Sequence, residues 1–200
     1  MVNKRFIYDE TQIISQIVDQ TNNQLWLAFA KDASGNCALQ KYSAFDPSQV
    51  YYDIDISVDS ITKMFIDGSY LYLAYDDTNY IGAKYSINNP LTSNSTFNIP
   101  SGITEAPVDL LVSGSDLWYL LPGNATGINA KLIRLNTSGV YQETIDLIET
   151  GNIITGASSL TIEPNSNDLY VITNTSPSKL IRIYQMTGGS YDFEITSLTP

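Results

Sequence analysis

The chain has 200 residues, with 21 Asp and Glu against 10 Lys and Arg and a formal charge of −11; so few cations exclude a non-specific nucleic-acid surface and disfavour acidic membranes. Histidine is absent and Cys37 is the lone cysteine, which removes every Ser-His or Cys-His mechanism and any intrachain disulfide. Fourteen tyrosines, with abundant Ser, Thr, Asn and Ile, favour strands and turns over helices.

Residues 1–11 lie ahead of the first repeated unit, and Arg5-Phe6-Ile7-Tyr8 has the bulk of a short strand. Met1-Val2-Asn3-Lys4-Arg5-Phe6 lacks the apolar region of a signal peptide, and no apolar run is long enough to span a bilayer. The expectation is a soluble chain made without cleavage. The first unit runs through residues 13–18, turns at Gln20-Thr21-Asn22-Asn23, and continues with Leu25-Trp26-Leu27-Ala28-Phe29, a strand around Lys41 and the alternating segment 51–56. Its lone thiol, Cys37, reads as an inert loop or strand-edge group.

The second unit repeats that order over residues 61–66, 71–75, 81–87 and 97–99. The third follows over 108–112, 117–121, 131–135 and 141–148, and the fourth over 160–162, 169–173, 179–184 and 191–198. Leu25, Leu71, Leu117 and Leu169 fall 46, 46 and 52 residues apart, the spacing of a unit of four short strands. Leu117-Trp118-Tyr119-Leu120-Leu121 is apolar at every position, which requires cover on both faces. The fourth strand of each unit alternates with polar residues, as a partly solvated outer strand does.

The turn-and-strand phrase Asp67-Gly68-Ser69-Tyr70-Leu71-Tyr72, with its counterparts Ser113-Gly114-Ser115-Asp116-Leu117-Trp118 and Asn165-Ser166-Asn167-Asp168-Leu169-Tyr170, resembles the blade repeats of the β-propeller superfamily. The resemblance covers nearly the whole chain. It implies an all-β β-propeller of about four blades, each a four-stranded antiparallel sheet, in a single domain over 1–200 with repeats of about 11–59, 60–105, 106–153 and 154–200. The composition is similar in style to virion- or tail-associated propeller proteins. That likeness implies a non-enzymatic structural or interaction module in a larger assembly such as a virus particle or tail fibre. A carbohydrate-binding propeller lectin and a carboxylate-dependent glycosidase or lyase are the alternatives.

The candidate interaction residues lie in the loops between second and third strands: Asp32, Asn36, Asp76, Asp77, Asn79, Asn124, Asn129 and Asn174. Equivalent loops of a propeller share one end of the disc, although Asn, Asp, Gly and Ser also serve plain turn chemistry. Lys41, Lys84, Arg134 and Arg182 share one place in the third strand. They read as packing stems with heads in water or on acidic neighbours rather than as an anion-binding ring. Trp26, Tyr72, Trp118 and Tyr170 read as core between blades. The pairs Asp53 with Asp55, Asp76 with Asp77 and Glu143 with Asp146 are the candidates for carboxylate chemistry, and the first pair reads as edge protection. No catalytic residue, metal ligand or cofactor site is assigned, and Asp32-Ala33-Ser34-Gly35-Asn36 lacks the downstream Glu of a calcium loop. The expected partners are proteins or copies of this chain, with a glycan as an alternative and neither nucleic acid nor membrane. Arg5, Phe6, Ile7 and Tyr8 are the candidate ring-closure strand, pairing with the last strand of the fourth unit either within one chain or on a neighbouring subunit.

Overall fold

Tight turns at Asn23 (φ 52°), Gly68 (φ 54°), Gly114 (φ 60°) and Asn167 (φ 61°) reverse the chain just before each of the four leucines, using residue types that enter the left-handed region at low cost. The computed structural model describes residues 12–198 apart from 47, 92, 125, 126, 150, 151 and 188. The candidate closure strand Arg5, Phe6, Ile7 and Tyr8 lies outside the described residues.

The strands are β1 (Ile13–Asp19), β2 (Gln24–Phe29), β3 (Cys37–Ser43), β4 (Val50–Ile56), β5 (Ser60–Asp67), β6 (Tyr70–Asp76), β7 (Tyr80–Ser86), β8 (Ser93–Asn98) and β9 (Asp109–Ser113). They continue with β10 (Asp116–Leu121), β11 (Lys131–Asn136), β12 (Tyr141–Asp146), β13 (Ile148–Glu149), β14 (Asn152–Ile153), β15 (Ala157–Ile162), β16 (Leu169–Thr173), β17 (Ser178–Gln185) and β18 (Tyr191–Leu198). Four antiparallel four-stranded sheets result, each with its strands in sequence order: β1 to β4, β5 to β8, β9 to β12 and β15 to β18. The chain is all-β, as expected. The ribbon β13-β14 is an element that the strand pattern did not announce. It takes up Ile148, which the sequence had placed at the end of the third unit's outer strand.

Register makes the sheets equivalent. Leu25, Leu71, Leu117 and Leu169 stand opposite Tyr42, Tyr85, Leu135 and Ile183, and one residue on, Trp26, Tyr72, Trp118 and Tyr170 stand opposite Lys41, Lys84, Arg134 and Arg182. The first strands adjoin in turn, β1 beside β5, β5 beside β9 and β9 beside β15, while no comparable contact joins β15 to β1 among the described residues. The arrangement is propeller-like, and it is open between the fourth sheet and the first.

Three cores fill the three successive gaps. Trp26, Ala28 and Leu39 of the first sheet pack with Leu71, Leu73 and Tyr75 of the second. Tyr72 and Ala74 pack with Leu117, Tyr119 and Leu121 of the third. Trp118, Leu120 and Leu132 pack with Leu169, Val171 and Ile181 of the fourth. Each sheet thus offers one face forward and one back, which accounts for the unbroken apolar run 117–121. Cys37 belongs to the first core rather than to a loop or edge: its thiol is buried and directed at the Val58 carbonyl at 3.6 Å, and burial pushes its pKa up.

The third-strand cations are latches between sheets. Lys41 is only 4% exposed, and its Nζ donates to the Ile87 carbonyl of the second sheet at 3.0 Å. Lys84 Nζ donates to the Thr137 carbonyl of the third sheet at 3.2 Å and lies 3.8 Å from the Tyr70 ring centre. Arg134 donates to the Tyr191 hydroxyl of the fourth sheet at 3.1 Å and pairs with Glu143 at 2.9 Å. The expectation of heads in water or on acidic neighbours therefore fails for both lysines, because the adjoining sheet covers them and offers backbone oxygens. Among the described residues no sheet covers Arg182, and it turns to Asp168 at 2.7 Å and Glu194 at 3.2 Å.

These contacts rank two truncations. Trp118→Ala is expected to cost about 3–5 kcal/mol as the loss of a buried aromatic. Lys84→Ala is expected to cost about 1.5 kcal/mol or more, since a charged donor to a half-buried carbonyl is lost together with its ring contact. Urea unfolding midpoints check both, and a Lys84→Ala midpoint equal to that of the unaltered chain would remove the latch assignment.

Candidate interaction surface

The second-to-third strand loops occupy equivalent ends of the four sheets, and much of their polarity is spent on the loops themselves. Asp32 Oδ1 accepts from the backbone N–H groups of Ser34 at 2.8 Å and Asn36 at 3.1 Å. Asp77 Oδ1 accepts from those of Asn79 at 2.8 Å and Tyr80 at 3.0 Å. Asn174 is tied through its backbone to the Gly156 carbonyl at 2.8 Å. The Asp32 and Asp77 bonds are the turn devices that favour Asp in loops.

Four of the candidates are drawn to one place. The connection between β8 and β9, residues 99–108, forms two clefts. One, of about 310 Å³, is lined by Asp59, Tyr75, Asp76, Asp77, Ile103 and Glu105. The other, of about 290 Å³, is lined by Ile103, Thr104, Glu105, Ile128, Asn129 and Lys131. Asn124 donates to Glu105 at 3.3 Å. Asp32, Asn36, Asn79 and Asn174 line neither cleft. Glu105 was not among the candidates; the signal for it is the length of the linker that carries it, against three residues between β4 and β5. Burial holds the Glu105 carboxyl above the usual carboxylate value of 4.5, against the opposing pull of Lys131 and the Asn124 hydrogen bond.

Asp76 and Asp77 share the first cleft, and the other two carboxylate pairs lie outside both clefts. Asp53 and Asp55 are exposed on the outer strand of the first sheet, and Gln40 donates to Asp53 at 3.1 Å. Glu143 is held by Arg134, and Asp146 by Lys131. Among the described residues no group of three or more His, Cys, Asp or Glu is disposed to hold a metal ion.

A larger surface lies at the two ends of the series of sheets. Tyr170, Ile172 and Leu180 face away from the third sheet. Tyr170 and Leu180 are half-buried and Ile172 is 42% exposed. Their register equivalents Trp26, Ala28, Leu39, Tyr72, Ala74, Trp118, Leu120 and Leu132 are all buried between sheets. Tyr170 therefore departs from its expected core role, because no sheet of the described residues covers its face. At the other end, Leu25, Leu27 and Phe29 are half-buried and Val18 is 53% exposed. Their equivalents Leu71, Leu73, Tyr75 and Ile66 fill the first core. None of the three cores takes in either end face.

No family model and no curated protein matches the sequence. Solved structures do. The chain is similar to the computationally designed Ika8 protein at 12% identity and a TM-score of 0.56, over 80% of this chain and 42% of that one. It is similar to a prolyl endopeptidase at 11% identity and a TM-score of 0.56, over 92% of this chain and 26% of that one. An engineered GH43 glycoside hydrolase matches at 12% identity and a TM-score of 0.52, over 92% of this chain and 40% of that one. The chain spans less than half the length of each, and at such identities the likeness establishes the propeller-like fold.

Proposed function

We propose that this chain is a non-enzymatic structural or interaction module, a component of a larger assembly, whose working surfaces are the outward faces of its first and fourth sheets. The observation that carries the reading is the contrast at one register position: Ile172 is 42% exposed where Ala28, Ala74 and Leu120 are wholly buried. Apolar sheet faces of this kind mark contact with another macromolecule. Of the carboxylates that line the first cleft, Asp59 pairs with Lys31 and Asp77 accepts from the N–H groups of its own turn, which supports a binding role over a chemical one.

Two measurements test this. Ile172→Asp, in dilute solution, is expected to leave the unfolding free energy from urea titration within about 0.5 kcal/mol of the unaltered chain, as exposed sites do. Leu120→Asp at the equivalent buried place is expected to unfold it. Comparable losses from the two would mean that the fourth sheet's outer face is interior, and the reading fails. Glu105→Gln tests the role of the cleft carboxyl. A group whose folded pKa is raised contributes its stability below the unfolded value of 4.5 and loses it as pH rises through the folded value. The variant is therefore expected to melt higher than the unaltered chain at pH 7, the gap closing as pH falls to 4. Loss of a measurable hydrolytic turnover in Glu105→Gln would instead assign the carboxyl to catalysis.

A further inference from the structure

We infer that the occupant of the fourth sheet's open face is the first sheet of a second copy of this chain, docked head to tail. The inference rests on the reading of the end faces as contact surfaces and adds their partner.

The chain contains the same interface three times. In each, a forward face carrying the residue after the leucine anchor meets a backward face carrying the anchor itself: Trp26 and Ala28 against Leu71 and Leu73, Tyr72 and Ala74 against Leu117 and Tyr119, Trp118 and Leu120 against Leu169 and Val171. The two uncovered faces are one of each kind. The fourth sheet presents the forward set Tyr170, Ile172 and Leu180, and the first sheet presents the backward set Val18, Leu25, Leu27 and Phe29. A contact between them continues a geometry already built into the molecule. It is heterologous, joining unlike surfaces, so it leaves each copy with one further face of the opposite kind.

The latches agree with this polarity. The carbonyl that receives Lys41 belongs to Ile87, three residues beyond the equivalent Lys84, and the carbonyl that receives Lys84 belongs to Thr137, three residues beyond the equivalent Arg134. Arg134 uses the Tyr191 hydroxyl instead, but the lysines' offset on a first sheet leads from Lys41 to Ala44, whose carbonyl becomes the acceptor for Arg182 of the preceding copy. Arg182 is partly exposed on the open face, held meanwhile by Asp168 and Glu194.

Charge sets the conditions. The outer strands of the two faces carry Asp53 and Asp55 on one side and Asp192 and Glu194 on the other, and the whole chain carries −11. Association works against this repulsion and strengthens as salt screens it.

The test uses the full chain in analytical ultracentrifugation over a range of concentration and salt, with Val18→Asp and Ile172→Asp, both at exposed positions that the fold tolerates. The unaltered chain is expected to form dimers or longer head-to-tail species, more so at high salt, and each variant alone is expected to be monomeric. An equimolar mixture of the two variants is expected to recover dimer, because the intact backward face of Ile172→Asp meets the intact forward face of Val18→Asp. A chain that stays monomeric at every concentration overturns the inference, and if Ile172→Asp is then still as stable as the unaltered chain, the end faces stand as contact surfaces for a different partner. Association that survives both variants, or a mixture that stays monomeric, overturns it equally.

Discussion

A sheet that is apolar on both faces must be covered on both, and this constraint organises the molecule. Each of the four sheets is too narrow to bury its own side chains, so stability comes from stacking. The middle two sheets meet the requirement twice, through Leu71 and Leu73 behind and Tyr72 and Ala74 in front for the second, and through Leu117 and Tyr119 behind and Trp118 and Leu120 in front for the third. The outer two meet it once. The uncovered faces at the ends follow from a repeat applied four times without a comparable contact between β15 and β1 among the described residues.

Within this repeat, the individual gaps are fitted by particular residues. At the place where the first and third sheets carry Leu39 and Leu132, the second carries Gly82, and the Tyr119 hydroxyl from the next sheet occupies the space. A Cβ on Gly82 would stand 2.2 Å from that oxygen, which instead donates to the Leu73 carbonyl at 3.1 Å. The inner strands are joined by Asp109 on β9. Its buried carboxylate accepts from the Leu110 and Leu160 N–H groups at 2.9 and 2.8 Å and pairs with Lys63 of β5 at 3.1 Å. One side chain thus holds three consecutive sheets at the axis, where Ser15 and Ser159 take its register position in the end sheets. Glu105 and its clefts sit beyond this staple, on the connection that leads into Asp109.

Much of the fold was legible because strands and turns are written locally. The four leucines, the Asn or Gly turns before them and the unbroken run 117–121 each state a strand and its surroundings. The residue-level errors came from features set by the neighbouring sheet. Lys41 and Lys84 are charges in the sequence and become buried or half-buried donors only because Ile87 and Thr137 arrive from 46 and 53 residues away. Tyr170 has the signature of Trp26 and Trp118 and lacks their burial, because burial here belongs to the next sheet and not to the strand. Cys37 likewise reads as an edge thiol until the second sheet covers it. Among the loop residues, Asp32 and Asp77 are residue types that the turns themselves require, whereas Glu105 is carried by a linker without any periodic signal.

The composition of the end faces separates them from the internal cores and bears on how they work. Gln16 stands where Met64, Leu110 and Leu160 serve in the other sheets, and Gln40 where Ala83, Ile133 and Ile181 do. On the fourth sheet, Thr161 replaces Ile17, Phe65 and Leu111. Gln16 and Thr161 place polar groups in reach of water, whereas Gln40 is buried, with its amide donating to Asp53 and accepting from the Tyr42 hydroxyl. A face of that mixture tolerates solvent while unoccupied, as the surfaces of separable partners do, and still offers an apolar centre in Leu25, Leu27, Ile172 and Leu180. The same substitutions in an internal gap would leave further buried amides and hydroxyls to be paired, and all three lie on the two faces that no sheet of the described residues covers.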